Sequence, residues 1–114
     1  MTSGDIYWIE FPGGAGRAQA GRRPAILLQA KEATEKLPTV LVVPFATQQD
    51  ALRFPGTLLV RPTRANGLHR PSIAMLFQLT VVDKAFLSTR IGTLSTKDMA
   101  AIWEAFDQIT ERPD

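Results

Sequence analysis

Residues 95–109 repeat their apolar side chains at helical spacing, whereas the other apolar runs are short, rich in β-branched and aromatic residues, and separated by proline and glycine. A chain patterned this way forms one substantial helix, at its end, and must otherwise build its core from short strands. Ser95 stands at the N-cap position with Asp98 three residues on, a near capping box. Met99, Ile102, Trp103, Phe106 and Ile109 then fall on one helical face. The Met99, Trp103 and Phe106 stripe is expected to pack the helix on the sheet.

Strands are expected at residues 5–11 (DIYWIEF), 24–30 (PAILLQA), 39–46 (TVLVVPFA), 56–60 (GTLLV), 72–79 (SIAMLFQL) and 90–94 (RIGTL). The first has apolar side chains on both faces and reads as buried on most of its surface. Pro24 falls at the first position of the second strand, where a missing donor costs least, and Pro44 implies an edge or a bulge near the end of the third. Residues 31–37 read as a charged turn, residues 47–55 lead outward, and a short helical turn begins at Asp83. Residues 12–22 (PGGAGRAQAGR) hold four of the eight glycines and no large apolar side chain, so a mobile loop is expected there. The fold class is mainly β (α+β): a small, strongly curved antiparallel sheet or barrel with a C-terminal amphipathic helix. At 114 residues, the chain is expected to be one domain over residues 1–114.

Composition narrows the chemistry. There is no cysteine and one histidine, His69, which leaves no thiolate nucleophile, no sulfur-based metal site and no ready Ser-His-Asp triad. His69 lies in a turn rich in Asn, Gly and Arg and reads as surface. No metal or other cofactor is expected. No apolar run approaches the roughly 18 residues of a membrane span, and residues 1–5 lack a signal-peptide pattern, so a cytoplasmic protein is expected. Residues 11–90 carry eleven basic side chains against four acidic ones, between acidic ends, which suits a polyanionic partner such as nucleic acid as well as an ordinary solvated surface.

Gly21-Arg22-Arg23-Pro24 sets two arginines between the glycine loop and a strand. Arginine hardly releases a proton, but its planar fork gives two parallel hydrogen bonds to phosphate oxygens, so Arg22 and Arg23 read either as a phosphate clamp or as a solvated pair. Arg17, Gln19 and Arg53 are candidates for tracking a nucleic-acid backbone, or else plain surface residues. Gln78, in the run Phe77-Gln78-Leu79, reads either as an amide that contacts a base or the glycine loop, or as a buried amide bonded to backbone.

Five ordered blocks cover nearly the whole chain: residues 4–11 (GDIYWIEF) with the glycine loop after them, 19–25 (QAGRRPA), 42–48 (VVPFATQ), 77–84 (FQLTVVDK) and 91–94 (IGTL). In this order they resemble the MazF/PemK (Kid) toxins. The resemblance implies an SH3-like barrel, shared with the gyrase poison CcdB. It further implies a homodimeric, metal-independent endoribonuclease that cleaves single-stranded mRNA at short sequences, giving a 2′,3′-cyclic phosphate and a 5′-hydroxyl. The implied partner is a cognate MazE-like antitoxin whose acidic tail occupies the RNA groove. Arg23 matches the family's catalytic arginine. The family's second catalytic residue, a hydroxyl, falls on Ala46 here, with Thr47 immediately after it, so Thr47 is the candidate hydroxyl. Ala18 stands where many members carry an acid. The alternatives are a CcdB-like gyrase poison and a catalytically weakened homologue that still binds RNA or antitoxin.

Overall fold

The computed structural model describes residues 1–12 and 21–113. Arg17, Ala18, Gln19 and most of the expected glycine loop lie outside the described residues. Among the described residues seven strands, β1 (Asp5–Phe11), β2 (Gly21–Leu27), β3 (Thr39–Ala46), β4 (Thr57–Val60), β5 (Ser72–Met75), β6 (Thr80–Asp83) and β7 (Leu87–Thr93), form one antiparallel sheet, six of them in the order β4-β5-β3-β2-β1-β7 with β6 off this path. β6 pairs with the first half of β3, Val42 opposite Thr80, while β5 pairs with its end, Phe45 opposite Ala74. The sheet curls without closing by strand pairing.

Alternation along the central strands produces two apolar clusters. Ile6, Ile26, Val43 and Phe45 face one way, toward Ile102 and Ala105 of the C-terminal helix α2 (Thr96–Ile109). Ile9, Ala25, Leu27 and Val42 face the other way, where Val82 of β6 and Leu87 of β7 join them. The first strand is therefore buried on both faces, as its composition predicts, and the sheet must curl to cover its second face. Truncating a fully buried aliphatic such as Ile102 to alanine would cost about 2–5 kcal/mol.

Several boundaries differ from the expectation. β2 starts at Gly21, because its hairpin with β1 continues through Arg23 opposite Ile9 and Arg22 opposite Glu10. Pro24 is thus inside the strand, just before β3 pairing begins at Ala25, where only one neighbour asks for its missing donor. Pro44 likewise lies in an interior strand rather than at an edge or bulge. On the side of β3 away from β2, the chain between β5 and β6 leaves the ladder as a short 3-10 helix, Leu76–Gln78, opposite this point. The expected strand over residues 72–79 therefore ends at Met75, and β6 was not anticipated, since only Val82 of its four residues is buried. β7 begins at Leu87, three residues before the expected start.

Residues 31–37, expected as a turn, hold a short helix, α1 (Lys31–Lys36). Its lysines, glutamates and alanine are good helix formers, and the Thr34 hydroxyl donates to the Ala30 carbonyl at 3.0 Å while accepting from Gln29 Nε2 at 3.2 Å. The helical turn after Asp83 is present as Lys84–Phe86, with Asp83 Oδ1 accepting from the Ala85 amide at 2.9 Å. In α2 the Ser95 hydroxyl accepts from the Asp98 amide at 3.1 Å, the N-cap its sequence announces. Met99, Phe106 and Ile109 pack on the core, but Trp103 is 45% exposed and stands edge-on to Phe106 with centroids 5.9 Å apart. Ile102 and Ala105 occupy the buried face in its place, and Trp103 falls at the margin of the stripe.

The connection between β4 and β5 closes the gap that strand pairing leaves. The Thr93 amide of β7 donates to the Ala65 carbonyl at 2.9 Å, so this turn covers the edge of β7. Asn66, 2% exposed, organises the turn: its Oδ1 accepts from the amides of Thr63 and Leu68, each at 3.0 Å, and its Nδ2 donates to the Arg61 carbonyl at 2.9 Å.

Candidate functional site

Arg23 and Thr47 line the same space where β2 passes the end of β3. β3 ends at Ala46, and the chain bends at Thr47 before a 3-10 helix at Gln49–Arg53. In an extended strand consecutive side chains face opposite ways, but the bend breaks that alternation, and both Ala46 and Thr47 line the same two cavities. Arg23 lines both as well. Its Nη1 donates to the Phe45 carbonyl at 3.4 Å, which ties the half-buried guanidinium to β3 beside those two residues.

The larger cleft, of about 890 Å³, continues past Thr47 along the 3-10 helix to Phe54 and across to Phe77 and Gln78. Gln48 and Asp50 also face it. The rings of Phe54 and Phe77 are 5.1 Å apart at 50°, and the Arg53 guanidinium lies 4.7 Å from the centroid of Phe54. The smaller cavity, of about 440 Å³, lies on the other side of the Arg23–Thr47 wall and takes in Trp8, Arg22, His69 and Arg70. Arg22 stacks over Trp8 at 4.7 Å and lines this cavity together with Arg23. Gly21 has φ +88°, a left-handed conformation that suits glycine, immediately before the two arginines.

The structure thus brings Arg23, Thr47 and Gln78 to one cleft, puts Arg53 beside its aromatic rim, and sends Arg22 to the adjoining cavity. Arg17 and Gln19 lie outside the described residues. His69 is exposed, as expected, but it lines the smaller cavity, a role its sequence context did not suggest. Gln48, Asp50, Phe54 and Phe77 were missed. Their signal was faint: two aromatic residues more than twenty positions apart in segments that read as an outward turn and a strand. Among the described residues no three His, Asp or Glu side chains gather as a metal ion would require. No helix of the described residues is long and apolar enough to cross a membrane.

The arrangement can grip an anion at Arg23, present a hydroxyl beside it, and hold flat apolar groups at either side. The model of the PemK-like, MazF-like toxins of type II toxin–antitoxin systems matches residues 2–110. The probable endoribonuclease MazF of Mycolicibacterium smegmatis is 33% identical over 102 residues, covering 87% of this chain and 86% of that protein. The crystal structure of MazF from Deinococcus radiodurans superposes with a TM-score of 0.78 at 18% identity, over 94% of this chain and 93% of that one. An endoribonuclease from a mycobacterial species, solved in complex with its cognate antitoxin, superposes with a TM-score of 0.73 at 16% identity, over 94% of this chain and 91% of that one. The two solved structures match the fold, an antiparallel sheet with a C-terminal helix, and the family model covers nearly the full length: the chain belongs to the PemK-like, MazF-like toxins of type II toxin–antitoxin systems.

Proposed function

We propose that this toxin is a metal-independent endoribonuclease that cleaves single-stranded mRNA at a short sequence, with Arg23 and Thr47 at the scissile phosphate. The observation that carries the reading is that Arg23, bonded to the β3 backbone, and the hydroxyl residue Thr47 both line two adjoining cavities of about 890 and 440 Å³. The reaction uses the substrate's own 2′-hydroxyl. Its oxygen forms a bond to phosphorus, the bond to the 5′-oxygen breaks, and the proton lost from the 2′-oxygen is balanced by one gained at the departing 5′-oxygen. The products are a 2′,3′-cyclic phosphate and a 5′-hydroxyl.

The protein's task is to align the strand and to stabilise the pentacoordinate phosphorane with donors already in place. Arg23 supplies charge and two-point hydrogen bonding, and Thr47 donates to a non-bridging oxygen. Gln78, Arg22 and Arg53 hold the strand on either side, and Arg17 and Gln19 extend that grip from the adjoining segment. The chain works as one domain over residues 1–114 in the cytoplasm. A homodimer builds the RNA groove, since one small protomer has little surface for a long cleft. The acidic tail of a cognate antitoxin competes for the same basic surface.

A second reading has an observation of its own. Ala46 faces both cavities without a hydroxyl, which favours a weakened enzyme that retains RNA and antitoxin binding.

The deciding assay incubates purified protein with mixed-sequence single-stranded RNA in EDTA. Cleavage to cyclic-phosphate ends is the expected result. Loss of activity in EDTA with recovery on added magnesium overturns the mechanism, and binding without cleavage selects the weakened homologue.

A further inference from the structure

Asp50 is a carboxylate in a cleft read here as a polyanion site. It faces the same space as Arg23, yet it makes no ion pair among the described residues and does not cap the short helix that carries it. Next to a phosphate backbone, such a charge weakens binding unless the ligand brings hydrogen-bond donors to it.

The donors that RNA offers are on its bases. The cleft that Asp50 lines also carries an aromatic surface, the tilted pair of Phe54 and Phe77, residues that are 41% and 37% exposed. Exposed aromatics with an arginine against one face are how proteins hold unstacked bases. Gln48, Asp50 and Gln78 line the same cleft and supply it with polar groups.

We infer that the larger cleft holds a guanine packed against the Phe54–Phe77 pair, with Asp50 reading its pairing edge. Guanine presents two neighbouring donors there, N1–H and the exocyclic amino group, which match the two oxygens of a carboxylate. Cytosine and adenine offer one amino donor each, beside a ring acceptor that repels the carboxylate. Uracil offers a single N3–H between two carbonyls and fits worst. Gln48 and Gln78 line the same cleft and carry amide donors that can bond the guanine O6. This assignment rests on the proposed RNA substrate and adds a specificity-determining residue to it.

The test is selection of random-sequence 2′-fluoro RNA, which lacks the attacking hydroxyl and so cannot be consumed, by the full-length wild type and by Asp50→Asn, Phe54→Leu and Phe77→Leu, with circular dichroism as a check on folding. Wild type is expected to enrich guanine at one position of its bound sequences by about 5- to 150-fold over uracil, the range of one bidentate base contact. Asp50→Asn should abolish that enrichment while still binding RNA, and the two leucine variants should weaken binding of the guanine-bearing sequence by about 5- to 150-fold. Binding in which no position favours guanine, or in which the preference survives Asp50→Asn, overturns the assignment and leaves the RNA reading standing. Failure of the wild type to retain any RNA overturns both.

Discussion

Arg23 Nη1 and the Phe45 carbonyl lie 3.4 Å apart across neighbouring strands, so the guanidinium of β2 is held by the backbone of β3 one residue before the cleft wall at Ala46. That contact, at the long end of hydrogen-bond range, turns the guanidinium toward β3 before any substrate arrives. Such preorganisation is what a donor needs if it is to stabilise charge that develops only in the transition state.

Arg23→Lys should therefore keep the fold and lose most of the activity. Lysine retains the charge but not the planar fork, so it cannot bond the Phe45 carbonyl and a phosphate with the same geometry. A loss of about 100- to 1000-fold in cleavage rate is expected, by analogy with removing one oxyanion-hole donor. Near wild-type rates would transfer the role to another cation, Arg22 first.

Asn66 should matter to stability rather than to chemistry. Its buried amide meets two backbone amides and one carbonyl of the turn that covers β7. Asn66→Ala strands those groups and should cost about 1–3 kcal/mol or more in urea unfolding. An unchanged midpoint would mean that water replaces the side chain and that the turn does not depend on it.

The same turn fixes the identity of Gly92. A Cβ at that position would strike the Ala65 carbonyl and the backbone of Asn66, both rigid groups. Gly92→Ala must push the turn off β7, with an expected loss of about 1–3 kcal/mol. Thermal melting checks this, and a neutral result would show that the turn and strand separate easily.

The strand pattern and the final helix were readable because they rest on local periodicity and capping: the alternation in β1 and β3, and Ser95 with Asp98 ahead of the α2 stripe. The failures were tertiary. Nothing local distinguishes the Leu76–Gln78 turn from a continued strand, since Leu76 is fully buried like the residues of β5 before it. Arg23, Thr47 and Gln78 stood out as candidates by resemblance to a family, and the fold places them around one cleft. Asp50, Phe54 and Phe77 acquire meaning only when the chain folds them around the same space, and no spacing rule links positions brought together by a strand reversal. Asn66 was hidden for the same reason, being one polar residue in a loop whose burial depends on a strand from elsewhere in the chain.

The bend at Thr47 makes the final prediction specific. Because Ala46 and Thr47 both line the cleft walls, the hydroxyl required at the phosphorane can come from Thr47 without any change at Ala46. Thr47→Ala should then reduce cleavage by about 100- to 1000-fold, the effect of one lost transition-state donor, while RNA affinity stays nearly constant because the bond strengthens as charge builds. Thr47→Ser should recover much of the rate, since it keeps the donor and loses only a methyl group. Ala46→Thr should do little in a site already served by its neighbour. The opposite pattern, with Thr47→Ala silent and Ala46→Thr raising the rate, would identify Ala46 as the vacated catalytic position and the protein as a degraded enzyme. Single-turnover cleavage measured alongside affinity for a non-cleavable RNA separates the two, because the first reports the transition-state contact and the second does not.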